Sequence, residues 1–188
     1  MCIRDRKWTF NVAGGYDDNV NATNSNQQES AFISTDIGAS LANYDAVTQY
    51  AFSAKLGGIF YLKDLEGDTN ESLSNSTLNA SLSHSFDQTL RYNGSLSFAW
   101  QPEPNYSNGI ANSRRDGDYI YVYVSSSLSK AWTTRYSTTV GASYFMIDYQ
   151  EDSAKTDNRQ YFNLNLNNRY KWTERLALSL IHISEPTR

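Results

Sequence analysis

Residues 160–172 read Gln-Tyr-Phe-Asn-Leu-Asn-Leu-Asn-Asn-Arg-Tyr-Lys-Trp, and they show most clearly the pattern from which the fold is predicted. Phe162, Leu164 and Leu166 alternate with asparagines, so apolar and polar side chains follow each other with a period of two. Successive side chains of a β-strand point to opposite faces of the sheet, whereas a helix needs a period near 3.6. The stretch therefore predicts a strand with one apolar face and one polar face.

The same alternation recurs along the chain as a hairpin repeat of about forty residues. An aromatic residue near a short turn marks each repeat, at Trp8, Tyr44, Phe86, Trp132 and Trp172. Long connections rich in Asp, Asn, Gly and Ser join the other strand ends, near residues 17–30, 64–73, 101–117 and 150–159. The pattern predicts an all-β, antiparallel up-and-down sheet of about eight strands, with a ninth strand beginning near Leu176.

The composition excludes several classes of function. Fourteen Tyr, eight Phe and four Trp among 188 residues are too many aromatic residues for a disordered chain. A net charge of −4 provides no basic surface for nucleic acid. One Cys and two His are too few for a thiolate or imidazole metal site, and they leave few routes to nucleophilic catalysis. We therefore expect no metal, no cofactor and no enzymatic activity.

His84 is the one candidate for a catalytic base that the sequence offers, because it lies between Ser83 and Ser85. A period of two places His84 on the apolar face with Leu82 and Phe86, while the two serines point to the other face. We therefore interpret His84 as an interfacial residue beside a short turn.

The two ends of the chain resemble a translated transposase sequencing adapter. If residues 1–5 are written as the codons ATG TGT ATA AGA GAC, the reverse complement in another frame encodes Ser-Leu-Ile-His, which is residues 179–182, and its partial end codons are compatible with Leu178 and Ile183. We assign residues 1–6 and 178–188 to this adapter and exclude them from reasoning about the fold. Residues 7–177 are then expected to be a β-barrel fragment of a longer gene.

Three features favour a transmembrane barrel over a soluble sandwich. Apolar faces run for about ten residues, the length that a tilted strand needs to cross a bilayer. Short turns alternate with long loops, as on the two sides of outer-membrane barrels. Aromatic residues at both ends of the apolar stripe predict two membrane girdles: Trp8, Phe86, Trp132 and Trp172 by the short turns, and Tyr16, Trp100 and Phe162 by the long loops. We therefore expect part of a larger barrel in the bacterial outer membrane, in contact with lipid and lipopolysaccharide, its signal peptide lost by truncation.

The loop after the first strand carries the motif Gly15-Tyr16-Asp17-Asp18-Asn19. With the repeated hairpins that follow, this motif resembles the outer-membrane β-barrel porin family of Gram-negative bacteria. The resemblance extends over residues 8–177 as a pattern, and only the five-residue motif is sharp. It implies that the motif lies at the beginning of the barrel, near the mature N-terminus, and that further hairpins follow downstream.

Alternation assigns six basic residues to the polar face, which would line the lumen of a barrel: Lys55, Lys63, Arg91, Arg135, Arg169 and Lys171. Asp36 is the one acidic strand residue that alternation assigns to the same face. The last four lie near short turns and predict a cationic ring, which favours anions in a pore unless acidic groups from further strands pair with it. Tyr119, Tyr121 and Tyr123 face the same side at a mouth of the lumen, where they either fill the mouth or guide sugars.

We expect porin-like passive diffusion of small hydrophilic solutes with a preference for anions. Two alternatives stay open: a non-conducting outer-membrane barrel that acts as an anchor, adhesin or secretion accessory, and a soluble β-sheet domain that binds carbohydrate. The width of the bore distinguishes a conducting porin from a non-conducting barrel. Eight strands leave a bore filled by side chains, whereas about 16–18 strands leave an aqueous channel. The sequence does not determine the solute or the oligomeric state.

Overall fold

The computed structural model of the protein describes residues 3–20, 27–63, 75–102, 118–150, 155–172 and 177–184. These residues form nine β-strands and one 3₁₀ turn at Lys155–Asp157. The strands are β1 (Ile3–Asp17), β2 (Ser30–Tyr44), β3 (Thr48–Tyr61), β4 (Ser76–Ser85), β5 (Leu90–Pro102), β6 (Asp118–Ala131), β7 (Tyr136–Tyr149), β8 (Arg159–Lys171) and β9 (Ala177–Ser184). These ranges contain no apolar helix of the length that a membrane span requires.

The nine strands make one antiparallel sheet, and their order in the sheet is their order along the chain. Among the described residues, each strand contacts no strand other than its neighbours in sequence, so the sheet is a single layer. β1 and β9 form its two edges and do not pair with each other, so the sheet is not closed. The predicted all-β, antiparallel up-and-down architecture is confirmed at this level.

The connections alternate in length, as the sequence predicts. Residues 45–47, 86–89 and 132–135 make three short turns at one end of the sheet, which we call the short-turn end. Longer connections lie at the opposite, long-loop end. Parts of them, together with a segment between β8 and β9, lie outside the described residues, namely residues 21–26, 64–74, 103–117, 151–154 and 173–176.

The sheet extends into both segments that resemble adapter. Residues 3–6 lengthen β1 along β2, and Arg6 opposes Leu41 there. β9 lies almost wholly within residues 178–184 and pairs with β8. An unpaired strand edge offers a row of backbone donors and acceptors to the chain that follows it, so this pairing requires no matching side-chain pattern. The sheet therefore has nine strands where the sequence predicts about eight with a ninth beginning.

Apolar and polar residues sort onto opposite faces of the sheet. Directly opposed residues of an antiparallel pair share a face, and the register joins Phe10, Ile37 and Leu56 in one row. The adjacent row on the other face contains Asn11 and Asp36. The apolar face consists of the even-numbered residues of β1 and β3–β8 with the odd-numbered residues of β2, and the polar face consists of the others.

The sheet curves so that its polar face is concave and its apolar face is convex. No second layer covers either face in the part of the chain that the structure describes, and large convex side chains are widely exposed, such as Trp8 at 77% and Phe10 at 71%. On the polar face, one concavity of about 890 Å³ has Ser85 of β4 and Arg169 of β8 in its wall. Four strand spacings of about 4.8 Å would hold these residues far apart in a flat sheet. Curvature brings the polar side chains of β4–β8 towards one another.

The strands are staggered in a constant direction. Tyr50, Leu82, Gly94, Ser126 and Ala142 lie in one row across β3 to β7. Tyr50 lies three residues after its short turn, Gly94 five and Ala142 seven, so each hairpin is displaced by two residues from the one before. One residue of displacement per strand corresponds to a strand tilt of about 35°, given a rise of about 3.4 Å per residue and a spacing of about 4.8 Å.

Candidate functional site

All seven aromatic residues that the sequence assigns to membrane girdles belong to the convex apolar face. Six are exposed and Trp100 is half-buried. Phe86, Trp132 and Trp172 directly follow β4, β6 and β8 at the short-turn end, while Tyr16, Trp100 and Phe162 lie towards the long-loop end. Trp8 opposes Ala39, six residues before the β2–β3 turn, so it lies closer to the middle of the face. This face carries all four tryptophans of the chain.

Hydrogen bonds hold the polar ends of aromatic residues at the short-turn end. Trp132 Nε1 donates to Thr138 Oγ1 at 3.1 Å, and that hydroxyl donates to Asn168 Oδ1 at 2.8 Å. Tyr136 donates its hydroxyl to the same amide oxygen at 2.9 Å. An aromatic body with a hydrogen-bonded tip suits a boundary between an apolar medium and water.

Lys130 is a charged residue on the apolar face, where it opposes Leu90. Its Nζ donates to Thr89 Oγ1 at 2.7 Å and lies 3.8 Å from Asp87 Oδ2. The ammonium group therefore reaches the β4–β5 turn while the aliphatic stem covers the apolar face.

Asp87 organises that turn through its carboxylate. Oδ1 accepts hydrogen bonds from the Thr89 hydroxyl at 2.6 Å, from the Thr89 amide at 2.5 Å and from the Leu90 amide at 2.8 Å. These bonds, that of the Thr89 hydroxyl first, lower the pKa of Asp87, and the charge of Lys130 adds to the effect. The turn is therefore tightest when Asp87 is ionised.

At the long-loop end, two of these aromatic residues donate to carboxylates. Trp100 Nε1 donates to Asp118 Oδ2 at 2.7 Å, and Asp118 is a buried residue. Tyr16 donates its hydroxyl to Glu29 Oε2 at 2.6 Å. Both ends of the apolar face are thus bordered by aromatic rings with polar partners.

His84 lies on the apolar face, and its contacts belong to that face. Its Nδ1 is 2.7 Å from Thr48 Oγ1, and its ring meets Phe86 edge-on with centroids 4.8 Å apart. The register places Ser83 and Ser85 on the polar face. His84 therefore forms no catalytic pair with either serine, as the alternation predicts.

Four basic residues gather at the short-turn end of the polar face. Arg91 and Arg169 both line the concavity. Lys171 follows Arg169 on the same face of β8, and its amide donates to the carbonyl of Arg135 in the β6–β7 turn at 2.8 Å. Arg91 Nε donates to Ser85 Oγ at 3.2 Å. We call Arg91, Arg135, Arg169 and Lys171 the short-turn basic group.

The other two predicted lumen cations lie apart from this group. Lys55 on β3 donates from Nζ to Asn75 Oδ1 at 3.0 Å. Lys63 follows β3 at the long-loop end and is exposed. Asp36, the acidic residue of this face in the alternation, accepts from Asn11 Nδ2 at 2.8 Å. Four of the six basic residues therefore share one end of the concave face.

A cluster of aromatic rings lies on the polar face towards the long-loop end of β6–β8. The rings of Phe145 and Tyr161 stack, with centroids 4.7 Å apart and planes at 19°. Tyr121 meets Phe145 edge-on at 5.5 Å, and the rings of Tyr119 and Tyr149 are 6.1 Å apart. Tyr123 opposes Phe145 in the same row. We call six residues the aromatic patch: Tyr119, Tyr121, Tyr123, Phe145, Tyr149 and Tyr161.

The sequence analysis does not predict three members of the aromatic patch: Phe145, Tyr149 and Tyr161. The available signal is the run Tyr-Phe-Met-Ile at residues 144–147, where both faces of β7 become apolar. Alternation does not report which rings meet across strands, because that depends on the register between strands.

Hydroxyl and amide groups occupy the polar face between the aromatic patch and the short-turn basic group. One row across β5–β8 consists of Ser95, Ser125, Ser143 and Asn163. The hydroxyl oxygens of Ser95 and Ser125 are 2.6 Å apart. Asn163 Oδ1 is buried and has no hydrogen-bond partner among the described residues.

The motif of residues 15–19 closes β1. Gly15 provides space for the Phe32 ring, which lies where a Cβ would be. Asp17 Oδ1 accepts the amide of Asn19 at 2.9 Å, and Asp18 is exposed. In the ranges that the structure describes, no three His, Cys, Asp or Glu residues lie close enough to hold a metal ion.

Comparison of the chain with protein-family models, with curated protein sequences and with solved structures finds no match.

Proposed function

We propose that the chain forms part of a transmembrane β-barrel of the bacterial outer membrane, through which small hydrophilic solutes, preferentially anions, diffuse passively. The observation that carries the proposal is the polarity of a curved single-layer sheet, apolar outside and polar inside. A water-soluble sheet buries its apolar face against another layer, and no such layer covers β1–β8 within the described residues. Lipid outside and water inside would suit both faces.

The dimensions of the sheet support the proposal. A tilt of about 35° lies within the range of barrel strands. The ten residue-to-residue steps from Phe162 to Trp172 span about 34 Å of strand, or about 28 Å along the axis at this tilt, close to the apolar band of about 25 Å on outer-membrane barrels. The backbone edges of β1 and β9 would pair with each other or with further strands, since lipid satisfies no backbone hydrogen bond.

The short-turn basic group supports the preference for anions. Arg91 and Arg169 flank one concavity, and Lys171 with Arg135 lies beside it. A ring of fixed positive charge at a pore mouth raises the local concentration of anions.

Tryptophan quenching by brominated lipids tests the membrane location. The full chain is folded into phosphatidylcholine vesicles, with bromine either near the headgroup or near the middle of the acyl chains. A variant that keeps only Trp132 is expected to be quenched most by bromine near the headgroup. A variant that keeps only Trp8 is expected to be quenched most by the deeper bromine. Absence of quenching in both would contradict contact of the convex face with lipid.

Planar-bilayer recordings under a salt gradient test conduction and its sign. We expect conductance with an anion-selective reversal potential. In the double variant Arg91→Gln/Arg169→Gln, we expect the reversal potential to shift towards zero. Arg6→Gln is the control, because Arg6 lies on the convex face of β1 and does not line the concavity. A cation-selective reversal potential would overturn the anion preference. Membrane insertion without conductance would favour a non-conducting barrel.

A further inference from the structure

The polar face of β5–β8 changes its chemistry in a fixed order from one end to the other. The aromatic patch lies towards the long loops, rows of hydroxyl and amide groups follow, and Arg91 and Arg169 lie towards the short turns. The register places Tyr123, Phe145 and Tyr161 in one row and Arg91, Ser129, Thr139 and Asn167 in another. The order therefore runs along the strands and crosses all four.

We propose that this face is a binding track for a linear acidic oligosaccharide, which names the solute class of the porin-like function proposed above and rests on it. Each kind of chemical group in such a ligand has a complementary side chain on this face. The C–H face of a sugar ring packs on aromatic rings. Sugar hydroxyls exchange hydrogen bonds with serine hydroxyls and asparagine amides. Carboxylates pair with guanidinium groups, which present parallel donors to them.

The length of the track indicates a chain of sugars in preference to a single sugar. Six residue-to-residue steps of β7 lead from Phe145 in the aromatic row to Thr139 in the arginine row, which is about 20 Å of strand. One sugar ring cannot contact both rows, whereas a short linear chain can. Carboxylates at the far end of that chain would lie against Arg91 and Arg169.

Two further observations point to a ligand. Asn163 Oδ1 is buried without a hydrogen-bond partner in the described part of the chain, two residues along β8 from Tyr161. Buried acceptors in native proteins are almost always satisfied, and a hydroxyl donor from outside the chain would satisfy this oxygen once neighbouring side chains move aside. The Tyr161 side chain is 45% exposed although it stacks on Phe145. The aromatic patch therefore retains surface for a sugar ring.

Isothermal titration of the full chain in detergent micelles tests the track without requiring a bilayer or a pore. The probes are tetragalacturonate, galacturonate and maltotetraose, which separate length from charge. We expect tetragalacturonate to bind most tightly and galacturonate to bind weakly. Maltotetraose is expected to bind with about tenfold lower affinity than tetragalacturonate, because it loses the charged hydrogen bonds to arginine.

Pairs of variants on opposite faces supply the controls. Phe145→Ser is expected to lower the affinity for both tetrasaccharides about three- to tenfold. Tyr144→Ser, one residue away on the convex face, is expected to leave binding unchanged. Arg91→Gln is expected to weaken the binding of tetragalacturonate about tenfold and that of maltotetraose little, while Arg6→Gln, on the convex face of β1, leaves binding unchanged. Circular dichroism verifies folding, and Tyr161→Ser replaces Phe145→Ser if the latter does not fold.

Each contrary result has a distinct meaning. Absence of binding by both tetrasaccharides, or equal effects of Phe145→Ser and Tyr144→Ser, would overturn the track. Equal affinity for the neutral and acidic tetrasaccharides would overturn the acidic class. If the vesicle experiments succeed while micelle binding fails, only this inference is lost. If tryptophan quenching fails, the proposed function itself is lost.

Discussion

Val140→Arg is expected to destabilise the protein in a bilayer far more than Ser127→Arg. Val140 lies on the convex face, 54% exposed, and opposes Leu128 and Leu166. It is five residues past the β6–β7 turn, which is about 14 Å from the short turns at a tilt of about 35°, near the middle of the apolar band. Ser127 opposes Gly141, the next residue along β7, so it has almost the same height on the concave face.

The loss in free energy of unfolding caused by Val140→Arg distinguishes a sheet in a membrane from a soluble sheet. An arginine that faces lipid near the bilayer midplane costs about 2–4 kcal/mol. In water, the same substitution loses only the burial of about half a valine side chain, less than about 1 kcal/mol. Ser127→Arg on a water-filled concave face should change the free energy of unfolding by no more than about 0.5 kcal/mol.

Reversible urea unfolding from phosphatidylcholine vesicles measures both variants, with the four convex tryptophans as the reporter. The two unfolding slopes should be equal, so that a difference in midpoint reports stability. If Val140→Arg loses less than about 1 kcal/mol, or no more than Ser127→Arg, the convex face is not in contact with lipid and the reasoning is refuted.

Two further substitutions test local features. Asp87→Asn is expected to lower the urea midpoint at pH 7, because the asparagine loses the charge that accepts the Thr89 and Leu90 donors. Since folding lowers the pKa of Asp87, its contribution is complete above the ordinary aspartate pKa and is lost as pH falls through the lowered value, so wild type and variant should converge in strong acid; a constant difference would contradict this. Gly57→Ala is expected to cost about 1–3 kcal/mol, because the new Cβ would lie 2.8 Å from the Thr35 carbonyl oxygen. Gly14→Ala, whose nearest atom is 3.8 Å away, is the control and should leave the midpoint unchanged; equal losses would refute the steric argument.

Much of the polar face was predictable from local sequence. Arg91, Arg169 and Tyr121 lie on the face that alternation assigns to them, and His84 lies on the opposite one. The pleat of a strand turns each side chain away from the one before it, whatever strand lies beside it. The face of a residue is therefore a local property.

The aromatic patch and the contact between Lys130 and Asp87 were not predictable in this way. Phe145 meets Tyr161 only because β7 and β8 pair in one particular register. A slip of one residue would send one of the two rings to the other face. Lys130, at an even position of β6, reaches the β4–β5 turn because β5 and β6 pair as they do.

The amino-acid sequence alone predicts β1–β8, the alternation of short and long connections and the face of each residue in these strands, because these follow from the two-residue period and from turn composition. The stagger, the curvature, the depth of Trp8 and the neighbours within each row emerge only when the strands pair in the folded sheet. Register and curvature arise from hydrogen bonds and contacts summed over the whole sheet between residues distant in the chain, so no local pattern encodes them.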